Sequence, residues 1–307
     1  MSLNPYLLVL PLAGILVGFG SPALAFFVGV GATLLLSFKL PESAKRAGHY
    51  SLQTGIVLLG FGIQAETLFH ISASYTWLVM GYIFVVSLAG YLAFKLFRLE
   101  TRQSILVTGG TAICGGTAVV TLSPIVKAQP AETGAILGLI FAMNGMALLT
   151  FPWIGAHLEL TQTQFGIWAA LAIHDTASVV ATAQIYGQQA AEIATTLKLG
   201  RTLWLIPTVL LFALVYRGSA DGARLPTFVL LFVLASLGGS VIDLPAAAQE
   251  AIGFLSKSCL ILALLMIGLG TSVQTLRTIP LRLAVFAIGL WSLLAPATLW
   301  LVIGYVT

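Results

Sequence analysis

His174 and Asp175 form an imidazole and carboxylate pair in AIHDTASVVATAQ, part of an apolar run over 163–186 in which Asp175 is about twelve residues from either end. An ionisable group that deep in an apolar segment is expensive, and its default reading is an ion, proton or substrate site. His174 and Ser178 are four apart and would share one helical face, with Thr176 adding another oxygen. An imidazole titrates near neutral pH, so His174 fits a proton carrier, with a buried structural hydrogen bond as the plain alternative.

A second candidate is SILVTGGTAICGGTAVVTLSPIV, where Gly109, Gly110, Gly115 and Gly116 interrupt an apolar run. Each glycine costs about 1 kcal/mol relative to Ala inside a helix, and this spacing predicts a broken helix. A break at Cys114, Gly115, Gly116 and Thr117 would expose the N–H groups of a half-helix, which suit an anion. Close packing of small residues against a neighbouring helix is the alternative. Lys198 and Arg201 are three apart on one helical face. Counting about twenty residues back from Arg217 places them in the first turns of a span, where they either snorkel to the outer interface or bind an oxyanion, Arg201 with a bidentate fork. Asn144, in FAMNGMALL, is a neutral ligand or a helix-to-helix hydrogen bond.

The elements that must position these groups are membrane helices. The 307 residues are 59% hydrophobic and 8% charged, with a mean hydropathy of +1.03. A water-soluble domain carries about a quarter charged residues. Apolar runs fall at 5–19, 22–38, 51–65, 75–97, 103–126, 132–155, 163–186, 193–216, 226–242, 251–270 and 280–305, which predicts an all-α polytopic membrane protein of 10–11 crossings with no separate aqueous domain. The first twenty residues carry no Lys or Arg and read as a retained span, not a cleaved leader. With the N-terminus inside, Lys39, Lys45, Arg46, Lys95, Arg98, Arg102, Arg217, Arg224, Arg277 and Arg282 collect on one side, and Lys127, Lys198, Arg201 and Lys257 are the exceptions. That asymmetry predicts a bacterial inner-membrane protein with a cytoplasmic N-terminus.

Two internal echoes are present. Gly60-Phe61-Gly62 with Thr67-Leu68 matches Gly268-Leu269-Gly270 with Thr275-Leu276, seven spans on, the relation of an inverted repeat. Ala112-Ile113, Val119-Val120 and Ala131-Glu132 match Ala172-Ile173, Val179-Val180 and Ala191-Glu192, sixty residues and two spans later, which reads as a parallel relation. Cys114 and Cys259 have no metal-ligand spacing. Signatures of hydrolases, zinc proteases and ATP-driven pumps are missing, so no cofactor, metal, nucleic acid or enzymatic activity is expected. A membrane-embedded enzyme using His174 and Asp175 as acid and base would need a nucleophile or metal partner that does not stand out.

GTAICGGTAVV at 110–120 with its flanks, AIHDTASVVATAQIYG at 172–187 and LKLGRTLWLIP at 197–207 together resemble the bacterial YeiH-type family labelled sulfate exporters. The resemblance covers nearly the whole chain and implies export of sulfate or a related sulfur oxyanion. More distantly the chain is similar to the superfold of sodium/proton antiporters and bile-acid symporters, which implies discontinuous helices that cross, and core and panel subdomains interleaved in one transporter domain over 1–307. On that analogy Gly115, Gly116 and Thr117 match the broken helix, and His174 and Asp175 the substrate or ion site. The expectation is a secondary transporter for a small inorganic or organosulfur anion, working by alternating access with H⁺ or Na⁺ coupling and a homodimer as the candidate assembly. Cys114, Gly115, Gly116, Thr117, Asn144, His174, Thr176, Ser178, Lys198 and Arg201 would line the substrate path, and Asp175 with His174 would take the coupling ion. The alternative is a sodium/proton antiporter with Asp175 as cation site.

Overall fold

The glycine pairs and caps of the sequence divide its apolar runs more finely than spans alone. The computed structural model describes residues 5–19, 24–25, 28–29, 31–33, 41–97, 99–216, 227–242, 244–270 and 280–306. Among them, regular structure is wholly helical: α1 (Pro5–Phe19), α2 (Glu42–Gly60), α3 (Ala65–Phe97), α4 (Thr101–Ala112), α5 (Gly116–Ile125), α6 (Pro130–His157), α7 (Gln162–Ala172), α8 (Thr176–Tyr186), α9 (Gln188–Leu203), α10 (Leu205–Tyr216), α11 (Thr227–Val241), α12 (Ala246–Gly270) and α13 (Leu281–Tyr305). Among the described residues, five helical stretches are long and apolar enough to cross a membrane: Ala65–Leu96, Glu132–His157, Gln188–Tyr216, Ala246–Gly270 and Leu281–Tyr305. The chain is an all-α polytopic membrane protein. Most of the expected second span, Thr275 and Leu276 of the first echo, and Lys39, Arg98, Arg217, Arg224 and Arg277 lie outside the described residues.

The chain forms two compact units, Met1–His70 with Pro226–Ser272, and Ile71–Leu225 with Val273–Thr307. In the first, α2 and α12 run antiparallel. A Cβ on Gly48 would meet Met266, the Ser51 hydroxyl donates to the Cys259 carbonyl at 2.9 Å, and Ser256 donates to the Gly55 carbonyl at 2.7 Å. Partners therefore fall in number along α12 as they rise along α2. The echo of Gly60-Phe61-Gly62 and Gly268-Leu269-Gly270 lies at the C-terminal ends of these two helices.

The second unit overturns two of the sequence-based crossings. Arg102, at the start of α4, donates to the carbonyl of Lys127, just past the end of α5, at 2.9 Å. Two arms of 12 and 10 residues laid end to end would hold those residues more than about 30 Å apart at 1.5 Å per residue. The segment is instead a helical hairpin that returns to the end it left. The same holds for α7 and α8: Tyr186 donates to the Leu160 carbonyl at 2.5 Å, its ring stacks on Phe165 at 3.8 Å, and the Ala190 N–H donates to the Gln162 side chain at 3.2 Å. Discontinuous helices are present, as the sequence led us to expect, but they turn back at their breaks and do not run on across the unit.

The hairpin bases lie at opposite ends of α6. Ser123 and Thr133 share a hydroxyl hydrogen bond of 2.5 Å at its start, and a Cβ on Gly155 near its end would meet Phe165 and Tyr186. A hairpin changes no side and α6 makes one traverse, so the second hairpin enters from the end opposite the first. The sixty-residue echo, read from sequence as parallel, is therefore an inverted repeat of hairpin plus long helix. Ala112 and Ala172 end the first arms, Val119-Val120 and Val179-Val180 lie in the returning arms, and Ala131-Glu132 and Ala191-Glu192 open the long helices.

Candidate functional site

The two hairpin tips meet. Gly115 caps α5 with φ +61 and ψ −120, a conformation that side chains rarely adopt. A Cβ there would lie 3.0 Å from the Asp175 nitrogen and the His174 carbonyl carbon, so the backbone of one tip presses directly on the other. The second tip has no glycine. Ile173 (φ −90, ψ 140) and Asp175 (φ −98, ψ 156) are extended, and Asp175 holds the turn by capping α8. One carboxylate oxygen accepts from the Ser178 N–H at 2.9 Å, and the other from the Ser178 hydroxyl at 2.7 Å and from the Asn144 amide. His174 is thus not on a helical face shared with Ser178, as the unbroken-span reading had it. It sits in the turn before α8, and its backbone N–H and ring Nδ1 lie 3.1 and 3.0 Å from the Asn144 Oδ1.

Lys198 and Arg201 are not in the outer turns of a span. They fall in the second half of α9, with relative exposures of 0% and 1%, because α9 begins at Gln188, beside the hairpin base, and runs inward along both arms. Each half-helix ending at a tip leaves four carbonyls without intrahelical partners, and all eight are accounted for. At the end of α4, the Gly109 carbonyl takes the Ile113 N–H at 3.1 Å and the Gly110 carbonyl takes the Gly115 N–H at 2.9 Å. Arg201 covers Ala112 at 2.7 Å and also Thr111. At the end of α7, the Ile173 N–H covers Ala169 at 3.1 Å, Arg201 covers Ala170 at 2.8 Å and Leu171 at 2.9 Å, and the Trp291 indole covers Ala172 at 2.9 Å. Lys198 donates to the Ile173 carbonyl at 2.7 Å. One guanidinium therefore holds the negative ends of both half-helices, which a planar fork of five donors can do and an ammonium cannot. It also lies 4.5 Å from the centre of the Tyr82 ring.

Around this centre the packing is aromatic and rigid. Phe151 stacks between Trp168 at 4.0 Å and Trp291 at 6.1 Å, and Trp168 donates to the Ala295 carbonyl at 3.0 Å, tying α6, α7 and α13 together. Of the residues singled out from sequence, Cys114, Gly115, Asn144, His174, Asp175, Lys198 and Arg201 are buried at or against the tips. Gly116, Thr176 and Ser178 are half-buried beside them, and Thr117 is exposed. Cys114 lies within reach of the Thr117 hydroxyl and the Ala118 N–H at the start of α5. Tyr82 and Trp291 were missed, since a lone aromatic in an apolar span carries no sequence signal. The break at 173–175 had one, an Asp at the N-cap position with Ser three residues on.

The electrostatics are uneven. The two half-helix N-termini and two C-termini carry opposite partial charges that offset each other. Two buried basic side chains, Lys198 and Arg201, then stand against one buried carboxylate, Asp175. The α8 N-terminus is capped by that carboxylate, while α5 has no side-chain cap. An excess of positive charge in so apolar a place is costly unless an anion joins it.

A family described as conserved hypothetical protein 698 has a model that matches residues 7–287. A UPF0324 membrane protein of Geobacter sulfurreducens is 36% identical over 281 residues, covering 90% of this chain and 89% of that protein. Another of Bdellovibrio bacteriovorus is 34% identical over 298 residues, covering 94% and 91%, and one of Bacteroides thetaiotaomicron is 32% identical over 282 residues, covering 91% and 85%. No solved structure matches the chain.

Proposed function

We propose that this chain, which belongs to the UPF0324 family of membrane proteins, is a secondary transporter that carries a small anion, a sulfur oxyanion such as sulfate or sulfite, outward across the bacterial inner membrane. The observation that supports this most is the meeting of two oppositely entering hairpins at a buried, positively charged centre. Irregular backbone at membrane depth is tolerated where it lines a solute path, and half-helix ends there are suited to ions. An inverted pair of hairpins also gives two related conformations, each open to one side, as alternating access requires.

In this reading Lys198 supplies the charge that draws the anion, the α5 N-terminus at Gly116 and Thr117 supplies free N–H groups, and Arg201 sets the tips in place. The basic residues support an orientation too. With two crossings removed, Lys127 joins Arg102 and the other loop cations on one side, which we assign to the cytoplasm along with the N-terminus. A sodium/proton antiporter with Asp175 as cation site is the second reading, favoured by the depth of that carboxylate. It is weaker because both oxygens already accept protein donors.

Purified protein in proteoliposomes should take up radiolabelled sulfite or sulfate, and Lys198→Met should lower that flux at least about tenfold, the effect of losing one charge-assisted hydrogen bond. If no sulfur oxyanion moves while protons move with a sodium gradient and Asp175→Asn abolishes that movement, the antiporter reading replaces this one.

A further inference from the structure

His174 is 1% exposed, and its Nε2 has no hydrogen-bond partner among the described residues. Its protonation pattern follows from its neighbours. The Asn144 amide nitrogen donates to Asp175, so Oδ1 is the atom turned toward His174. That oxygen accepts the His174 backbone N–H at 3.1 Å and faces ring Nδ1 at 3.0 Å. An acceptor facing Nδ1 requires a hydrogen on Nδ1, and in a neutral ring Nε2 is then a bare lone pair. The ring faces Asn144 from α6 and Trp291 from α13, whose ring centre is 6.4 Å away, and the charged and titratable groups on or against its tip are Asp175 on its own turn, Lys198 and Arg201 from α9, bonded to the tip's carbonyls, and Cys114, next to the Gly115 that presses on its backbone. Lys198 and Arg201 already donate to backbone carbonyls of the same tip, at Ile173 and at Ala170 and Leu171. A buried acceptor without a donor is costly, and where one persists it calls for an explanation in function.

Resting on the transporter reading above, we infer that the cargo is a singly charged oxyanion that still carries an acidic hydrogen, hydrogen sulfite being the example among sulfur species, and that it donates this hydrogen to His174 Nε2 while its negative charge faces Lys198. One negative charge matches the excess of one buried cation over the Asp175 carboxylate. A dianion such as sulfate brings no hydrogen near neutral pH, sets oxygen lone pairs against the Nε2 lone pair, and leaves the centre negative. The hydrogen stays on the cargo throughout, so no proton passes to the protein and each cargo anion carries one acid equivalent with it.

Proteoliposomes containing the full chain and an internal pH dye, assayed at one neutral pH with radiolabelled sulfite and sulfate, test this. Wild-type flux of sulfite should exceed that of sulfate by about tenfold or more, with acid moving in step with sulfite. His174→Ala should lower the ratio severalfold, leaving only the preference that the charge balance gives, and His174→Gln, whose carbonyl can accept, should keep most of it. Should the alanine variant fail to fold, His174→Phe replaces it as a ring with no acceptor. Equal fluxes of the two anions through the wild type would overturn the inference and leave the transporter reading standing, as would variants that lower both fluxes in the same proportion. Flux of neither anion would instead count against the transporter reading itself.

Discussion

Replacing Arg201 by Lys keeps the buried charge and removes the fork, which separates the work of the charge from that of the geometry. Arg201 donates to four carbonyls, Thr111, Ala112, Ala170 and Leu171, drawn from the ends of two half-helices. A lysine ammonium on a flexible stem would reach one or two of these from a single point. Two or three buried acceptors would then lose their donors, at about 1 kcal/mol each and more where no water reaches them. The loss is about 2–3 kcal/mol, or about 4–12 °C in Tm for a chain of this size. Melting of the purified protein in detergent, followed by tryptophan fluorescence without any anion added, should show this shift. Arg201→Ala should melt lower still. If both variants melt like the wild type in the absence of anions and differ only in their response to sulfite, then Arg201 is a cargo ligand and the capping role given to it here is wrong.

Gly115→Ala places a Cβ where φ is +61 and where backbone of the other tip lies 3.0 Å away, so a loss of about 2–4 kcal/mol is expected in the same melting assay; a variant that melts normally would mean that the tips do not press together. Asn144→Leu removes the partners of the His174 N–H, the His174 Nδ1 and one Asp175 oxygen, a loss of about 3 kcal/mol that Asn144→Ala should share. Single cysteines at Glu100 and Lys127, in a chain whose Cys114 and Cys259 are replaced by Ser, should react with an impermeant thiol reagent from one side of the membrane, and cysteines at Glu159 and Gln188 from the other. Opposite-side labelling of Glu100 and Lys127 would restore the crossing read from hydropathy.

The class of this protein is set by its composition alone, because lipid accepts an apolar surface and water does not. The same local logic exposed the break at Gly115, since a double glycine weakens any helix regardless of context. It also drew attention to Asp175, because the desolvation of a carboxylate is a property of its immediate apolar surroundings. Hydropathy could not distinguish a span from a hairpin, for both are about two dozen apolar residues. Whether a broken helix continues or folds back depends on what the far arm packs against, and the contacts between Arg102 and Lys127, and between Tyr186 and Leu160, exist only once the chain has turned. The sixty-residue echo was legible as a repeat, but its handedness was not, because that required knowing that a hairpin contributes no crossing. Arg201 shows the remaining gap most clearly. Its charge and its spacing from Lys198 were plain, yet its partners are backbone carbonyls of residues about 30 and 90 positions away, and carbonyls look alike in every sequence. Tertiary structure alone decided that this fork would close two helix ends, since only the meeting of the tips leaves those acceptors without water or a helical partner.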